Sequence, residues 1–215
     1  EISARLGERD FQIITSVQRY RYMMTSQLQR LHFTDAATPA AALRAASRTL
    51  KKLRELGLID TLSRRIGGVR AGSGGLVWHI THAGERLIYL RTQTLTPTKR
   101  FFEPSPSFLA PTLAVAEVAV QLTEFCRDAK KFKLSVMQPE PECWRTYSEH
   151  GAVQSLKPDI FAITVSGQYE DRWFLEVDLD TESPSKIVAK CEKYHKYYRT
   201  GLEQQEAEVF PLTVW

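Results

Sequence analysis

The chain predicts a mixed α/β (α+β) protein built from two modules, and three observations carry that expectation. Charge is split: residues 1–100 hold 17 Lys/Arg against 7 Asp/Glu, whereas residues 101–215 hold 12 against 18. The segment RTQTLTPTKRFFEPSPS, with three prolines and several Ser/Thr, reads as a boundary. Helical periodicity dominates before it, and short strand-like runs dominate after it. The expected division is 1–95, a linker at 96–108, and 109–215. A basic half joined to an acidic half implies two modules with different partners.

In the first module, Phe11, Ile14, Val17 and Tyr20 recur at helical spacing, predicting a helix from Glu8 to about Tyr22. Thr25 is read as the N-cap of a short second helix carrying Leu28 and Leu31. Thr38 caps a third, with Pro39 at its first position and Gly57 just past its end. One stripe of this helix is Leu43, Ala46, Leu50, Leu53 and Leu56; the other face presents Arg44, Arg48, Lys51, Lys52 and Arg54. Two short strands follow, Leu58–Arg65 and Leu76–Thr81, joined by a turn with five glycines and Arg70; a fourth helix starts near His82.

This order, with LKKLRELGLID and then a hairpin ending W-H-I-T-H-A-G, resembles the winged helix-turn-helix superfamily over roughly residues 8–90. The resemblance implies a partner, double-stranded DNA. A helix fits the major groove, and its cations neutralise phosphates or reach guanine edges. Arg44 and Arg48 are the first candidates for base contact, because the N-terminal half of a recognition helix enters the groove. Lys51 and Lys52 continue the face, and Arg64, Arg65 and Arg70 sit on the wing. The alternative for such a face is plain solvation.

In the second module, TLAVAEVAVQLTEFCRD predicts a buried helix over Thr112–Asp128. A strand near Phe132–Met137, a proline-rich loop with Trp144, a strand over Lys157–Val165 and an acidic strand over Arg172–Asp180 come next. Ser183 and Pro184 open a helix that Gly201 stops near Thr200, and a last strand starts near Val209. On a strand, Glu176, Asp178 and Asp180 share one face, opposite Leu175, Val177 and Leu179. A row of carboxylates repels itself and calls for a metal ion or a lysine.

The order helix, strand, strand, strand, helix, strand resembles the core of the restriction-endonuclease-like fold, whose site resembles P-D…(D/E)-x-K. Pro158 and Asp159 match its first part and Glu176-Val177-Asp178 its second, with Asp178 where the pattern has lysine. The resemblance implies Mg²⁺ or Mn²⁺ held by Asp159, Glu176 and Asp178, with Lys190 reaching back from the following helix as the relocated lysine. The plainer alternative is a structural ion pair between Glu176 and Lys190.

Taken together, the winged helix, TLAVAEV, L-K-P-D, L-E-V-D with T-E-S, and K-x-x-x-Y resemble the bacterial replication-relaxation family of plasmids and integrative elements. That family is distantly similar to mobilisation relaxases. Its histidine before the buried helix has no counterpart here; Pro111 stands near that place. The resemblance implies action in replication or conjugative transfer at an origin, with plasmid replication or transfer proteins, or a second copy of the chain, as further partners. An Mg²⁺-dependent nickase and a transcriptional repressor are the alternatives.

Cys126, Cys143 and Cys191 are far apart, and no Cys/His pair has zinc-ligand spacing, so reduced thiols in the cytoplasm are expected. No apolar run approaches the roughly 18 residues of a membrane span. A first residue other than methionine and the strand-like EVFPLTVW at the end predict a segment of a longer protein.

Overall fold

The computed structural model describes residues 5–63, 75–93, 103–149 and 151–215. The fold is mixed α/β, and the chain divides into two compact units, Glu1–Val120 and Gln121–Trp215. The division falls inside a helix, not in the proline-rich stretch.

The first unit runs α1 (Glu8–Tyr20), β1 (Tyr22–Met24), α2 (Thr25–His32), α3 (Pro39–Glu55), β2 (Ile59–Thr61), β3 (Val77–Ile80) and α4 (His82–Thr92). The strands form a three-stranded antiparallel sheet in the order β1-β3-β2. Strand β1 was not expected: three residues between two helices are too few for alternation to show. Thr25 is not the N-cap of α2 but its first residue. The Gln27 side chain takes the Met24 N–H at 2.8 Å, and the Thr25 hydroxyl accepts from the Trp78 indole at 2.9 Å.

Helix α3 keeps its predicted ends. The Thr38 hydroxyl accepts from the Ala41 N–H, and Pro39 opens the first turn. At the other end Gly57 adopts φ 72°, its N–H bonding the Arg54 carbonyl and the Leu58 N–H the Leu53 carbonyl. These paired bonds make a Schellman cap, which favours glycine at that position. The buried stripe is Ala42, Ala46, Leu50 and Leu53; Leu43 is 47% exposed, one position off the expected stripe. These side chains meet Ile13, Ile14, Val17, Leu28 and Trp78 in the core. At the start of α4 there is no room for a side chain at Gly84, where a Cβ would lie 2.2 Å from the Leu58 carbonyl oxygen.

Helix α5 spans Pro106–Ala129, six residues earlier than expected, with Pro111 inside it. The Ser105 hydroxyl and carbonyl take the Phe108 N–H, so the helix starts within the proline-rich stretch. By length and composition α5 could cross a membrane. Here Leu109, Leu113, Ala116 and Val120 are buried in the first unit instead. Gln27, 2% exposed, donates to the Leu113 carbonyl and to Glu117, and Arg30 pairs with Glu117 at 2.6 Å.

The second unit continues with β4 (Lys133–Pro139), β5 (Arg145–Glu149), β6 (Ala152–Leu156), β7 (Ile160–Ser166), β8 (Tyr169–Leu175), α6 (Pro184–Thr200), α7 (Leu202–Ala207) and β9 (Leu212–Val214). A four-stranded sheet has the order β4-β7-β8-β9, antiparallel except for the parallel β8–β9 pair. The expected proline-rich loop contains a separate hairpin, β5–β6. Helix α6 lays Tyr194 and Tyr197 into a core with Tyr147, Phe161 and Phe174. Arg145 stacks over the Phe161 ring and pairs with buried Glu203, which also takes the Tyr197 hydroxyl.

Candidate functional site

Strand β8 ends at Leu175, so the acidic residues do not form the predicted three-carboxylate face. Glu176 still follows the sheet, its N–H bonding the Val214 carbonyl at 2.9 Å. Beyond it the chain leaves the ladder. The Asp178 carboxylate accepts from the Thr181 N–H at 3.1 Å, and Asp180 turns at φ 60°. Glu176 is 6% exposed, whereas Asp178 and Asp180 are exposed.

The register assembles a different cluster. Ile160 faces Leu175 across β7–β8, and Pro139 faces Ile160 across β4–β7. One step further, the Asp159 N–H bonds the Leu175 carbonyl and the Glu140 N–H bonds the Asp159 carbonyl. Glu140, Asp159 and Glu176 therefore stand at adjacent strand ends. Direct cross-strand neighbours lie on one face of a sheet. Nothing in the sequence signals Glu140, because only strand pairing brings it there.

Helix α6 reaches this sheet end. The Lys190 ammonium is 3.0 Å from Glu176 Oε2 and 3.0 Å from Glu182 Oε1. The Tyr194 hydroxyl, four residues on, donates to Glu176 Oε1 at 2.6 Å. The i, i+4 spacing sets both donors on one helix face, so each Glu176 oxygen has its own partner. Asp159 Oδ2 accepts from the Val177 N–H at 2.7 Å, and the Cys143 thiol donates to the Pro158 carbonyl.

The electrostatics follow from this crowding. Burial pushes the Asp159 carboxyl up to about 6; the Val177 N–H and Lys190 pull it down, while Glu176 and Glu140 push it further up. Burial lowers the Lys190 ammonium, but its bonds to Glu176 and Glu182 outweigh this and hold it above its ordinary value. Burial raises the Tyr194 hydroxyl far above its usual range, and the Glu176 charge adds to this. Tyr194 is thus a hydrogen-bond donor to Glu176 and unsuited to act as a phenolate. Burial likewise pushes the Cys143 thiol up to about 12, which makes it inert.

Of the three predicted metal ligands, Asp159 and Glu176 fit a hard divalent cation by donor type. Asp178 does not join them. Among the described residues no three His, Cys, Asp or Glu side chains gather into a metal-ligating group. Lys190 supplies the positive charge, shared between two glutamates.

Asp159 binds a proton more tightly folded than unfolded, so its contribution to stability is full below about pH 4 and is lost as pH rises through about 6. Asp159→Asn keeps an acceptor for the Val177 N–H and removes that loss. It is expected to stabilise the fold by about 2 kcal/mol near pH 7.5 and to change little near pH 4. Urea unfolding at the two pH values checks this; an equal effect at both would mean that Asp159 ionises normally.

The predicted DNA-contact residues separate into three groups. Arg44 and Arg48 are exposed on α3 and make no ion pair or hydrogen bond among the described residues; Lys51 is exposed and 3.8 Å from Glu55. Lys52 is held by buried Asp10 at 2.6 Å, and the same Asp10 oxygen takes the Gly7 N–H at the start of α1. Its ammonium is committed to joining α3 to α1. Arg64, Arg65 and Arg70 lie outside the described residues.

No curated protein and no solved structure matches the chain. A family model described as replication-relaxation matches residues 14–213, nearly the whole length and both units. The chain therefore belongs to the replication-relaxation family, which gives it a role in the replication or relaxation of mobile elements.

Proposed function

We propose that the protein binds duplex DNA at an origin sequence of a plasmid or integrative element, and acts there in replication or conjugative transfer. The observation that carries this is the exposed face of α3, where Arg44 and Arg48 point away from the core with no described partner. Three helices and an antiparallel sheet in the order α1-β1-α2-α3-β2-β3 support the reading of this unit as a winged helix, with α3 as the recognition helix. Exposed Leu43, beside Arg44, suits contact with a thymine methyl group. Footprinting on DNA carrying the element's origin tests the proposal: protection of a discrete origin site supports it. Protection of the chain's own promoter alone would make the protein a transcriptional repressor.

A second reading, an Mg²⁺- or Mn²⁺-dependent nickase, is favoured by one observation. Asp159 and Glu176 face each other across the sheet end, and the Asp159 carboxyl, which burial pushes up to about 6, would give up its proton to a bound cation. Asp159 and Glu176 would hold it, and the bound metal would supply a water acidic enough to attack a phosphodiester. Relaxation of a supercoiled origin plasmid in Mn²⁺, lost in Asp159→Ala, is the expected result of this reading. Intact supercoils in Mg²⁺ and in Mn²⁺ would leave the binding protein.

A further inference from the structure

We propose that the outer face of α6 is a second nucleic-acid contact, one that grips the phosphate backbone of duplex DNA. The inference needs DNA as the ligand, as the proposed function does, but it does not rest on α3 being the recognition helix.

The observation is a segregation of charge. Residues 121–215 hold 12 Lys/Arg and 16 Asp/Glu. Five of those cations, and only Glu192 among the acids, lie on the 17 residues of α6. The helix thus carries +4, and the remaining residues of the unit, with 7 cations and 15 acids, carry −8. One cation, Lys190, turns inward to Glu176 and Glu182. The other four, Lys186, Lys193, Lys196 and Arg199, are exposed. None makes an ion pair among the described residues, and neither does Glu192, although it stands four residues before Lys196.

Geometry orders these four charges. At 100° per residue, Lys186 and Lys193 lie nearly above one another, and Lys196 and Arg199 each step about 60° around the helix. The four charges sweep about 140° around the helix: Lys186 and Lys193 lie at the edge of the buried side, within about 40° of Tyr197, and Lys196 and Arg199 carry the row round to the outer face, over about 20 Å at 1.5 Å per residue. His195 lies beside its C-terminal end, where His195, Lys196 and Arg199 line one side of a groove. Only Glu149 and Glu192 add negative charge to that groove.

A solvated helix face needs no such arrangement. Ordinary surface helices alternate charge in i, i+4 pairs, as Lys51 and Glu55 do on α3. Four exposed cations against one acid, Glu192, on a helix of a unit otherwise negative make the surplus of positive charge that a polyanion recognises. Exposed Val188 lies beside Arg199, and exposed Tyr198 lies about 80° further round and packs on Phe210, so the two form no continuous apolar face, which argues against a helical protein partner.

The test uses the full chain and a mixed-sequence duplex, with affinity followed by fluorescence anisotropy across a salt series. The triple variant Lys193→Gln, Lys196→Gln, Arg199→Gln should bind roughly 10-fold more weakly, or worse, at low salt. Its dependence of log K on log salt should flatten by about 2 to 3, since each lost phosphate contact removes about 0.9. The charge-preserving double variant Lys193→Arg, Lys196→Arg should keep the parental slope. These residues are exposed, so circular dichroism should be unchanged. In parallel, Arg44→Gln with Arg48→Gln separates the two readings. If only the α3 variant weakens binding, the α6 proposal is overturned and the recognition helix stands. If only the α6 variant does, the proposal stands and α3 is misassigned. If the parental chain ignores duplex DNA but binds vesicles containing phosphatidylserine, both fail and the stripe faces a membrane.

Discussion

Lys190→Ala is expected to destabilise the second unit by about 3 kcal/mol, whereas Glu176→Gln should cost only about 1 kcal/mol. The asymmetry follows from burial. The Glu176 side chain is 4% exposed and the Lys190 side chain 32%. Without Lys190, the Glu176 carboxylate stays buried beside Asp159 with only the Tyr194 hydroxyl to hold it. Removing one member of a buried pair leaves the other uncompensated, and that residue bears most of the cost. Without the Glu176 charge, by contrast, Lys190 keeps Glu182 and its access to water, and the amide carbonyl introduced by Glu176→Gln still accepts from Tyr194. The double variant Lys190→Ala, Glu176→Gln should recover most of the loss, because neither charge is then stranded. Urea unfolding of the four proteins gives the cycle, and a Lys190→Ala loss below that of Glu176→Gln would refute the asymmetry. The single variant also bears on function. If Mn²⁺ raises its melting temperature and leaves Asp159→Ala unmoved, the pocket can exchange its lysine for a metal. No rescue would mean that the acidic pair serves the fold alone.

The parts of this site that the sequence disclosed are those set by local rules. Asp159 and Glu176 are linked by two strands and a short turn, and Lys190 and Tyr194 by one helical turn, so spacing alone could bring them together. The ends of α3 were likewise legible, since Thr38, Pro39 and Gly57 act within a few residues of themselves. What spacing could not disclose is where pairing stops. Alternation runs through Asp180, yet the ladder ends at Leu175, after which the Asp178 carboxylate takes the Thr181 N–H and Asp180 turns at φ 60°. The same holds for Glu140, which joins Asp159 through a partner strand. It also holds for β1, too short for any period to show, and for Leu43, where a phase error of one residue moved an apolar side chain from core to surface. Lys52 looked identical to Lys51 in the sequence. Its counterion, Asp10, is 42 residues away and meets it only when α1 packs against α3.

That difference between neighbouring lysines sharpens the second large expectation. Arg44→Ala with Arg48→Ala should weaken binding to the cognate origin by about 100-fold or more, since each bidentate contact to a base edge contributes about 1–3 kcal/mol and about 1.4 kcal/mol is tenfold. The loss should fall mainly on the cognate site: binding to an unrelated duplex, carried by phosphate contacts, should drop far less, so the ratio of the two affinities collapses. Lys51→Ala should instead weaken both nearly equally and flatten the salt dependence by about 1. Lys52→Met should do neither. Its ammonium holds buried Asp10, whose carboxylate also caps α1, so its replacement should lower the melting temperature of the first unit and leave discrimination between DNA sequences unchanged. Competition binding with cognate and unrelated duplexes, read beside thermal unfolding, distinguishes all three. An α3 that reads DNA must lose specificity with Arg44 and Arg48 while it loses stability with Lys52. If the arginine pair can be removed without changing the affinity ratio, α3 is not the reading helix, however exposed its cations are.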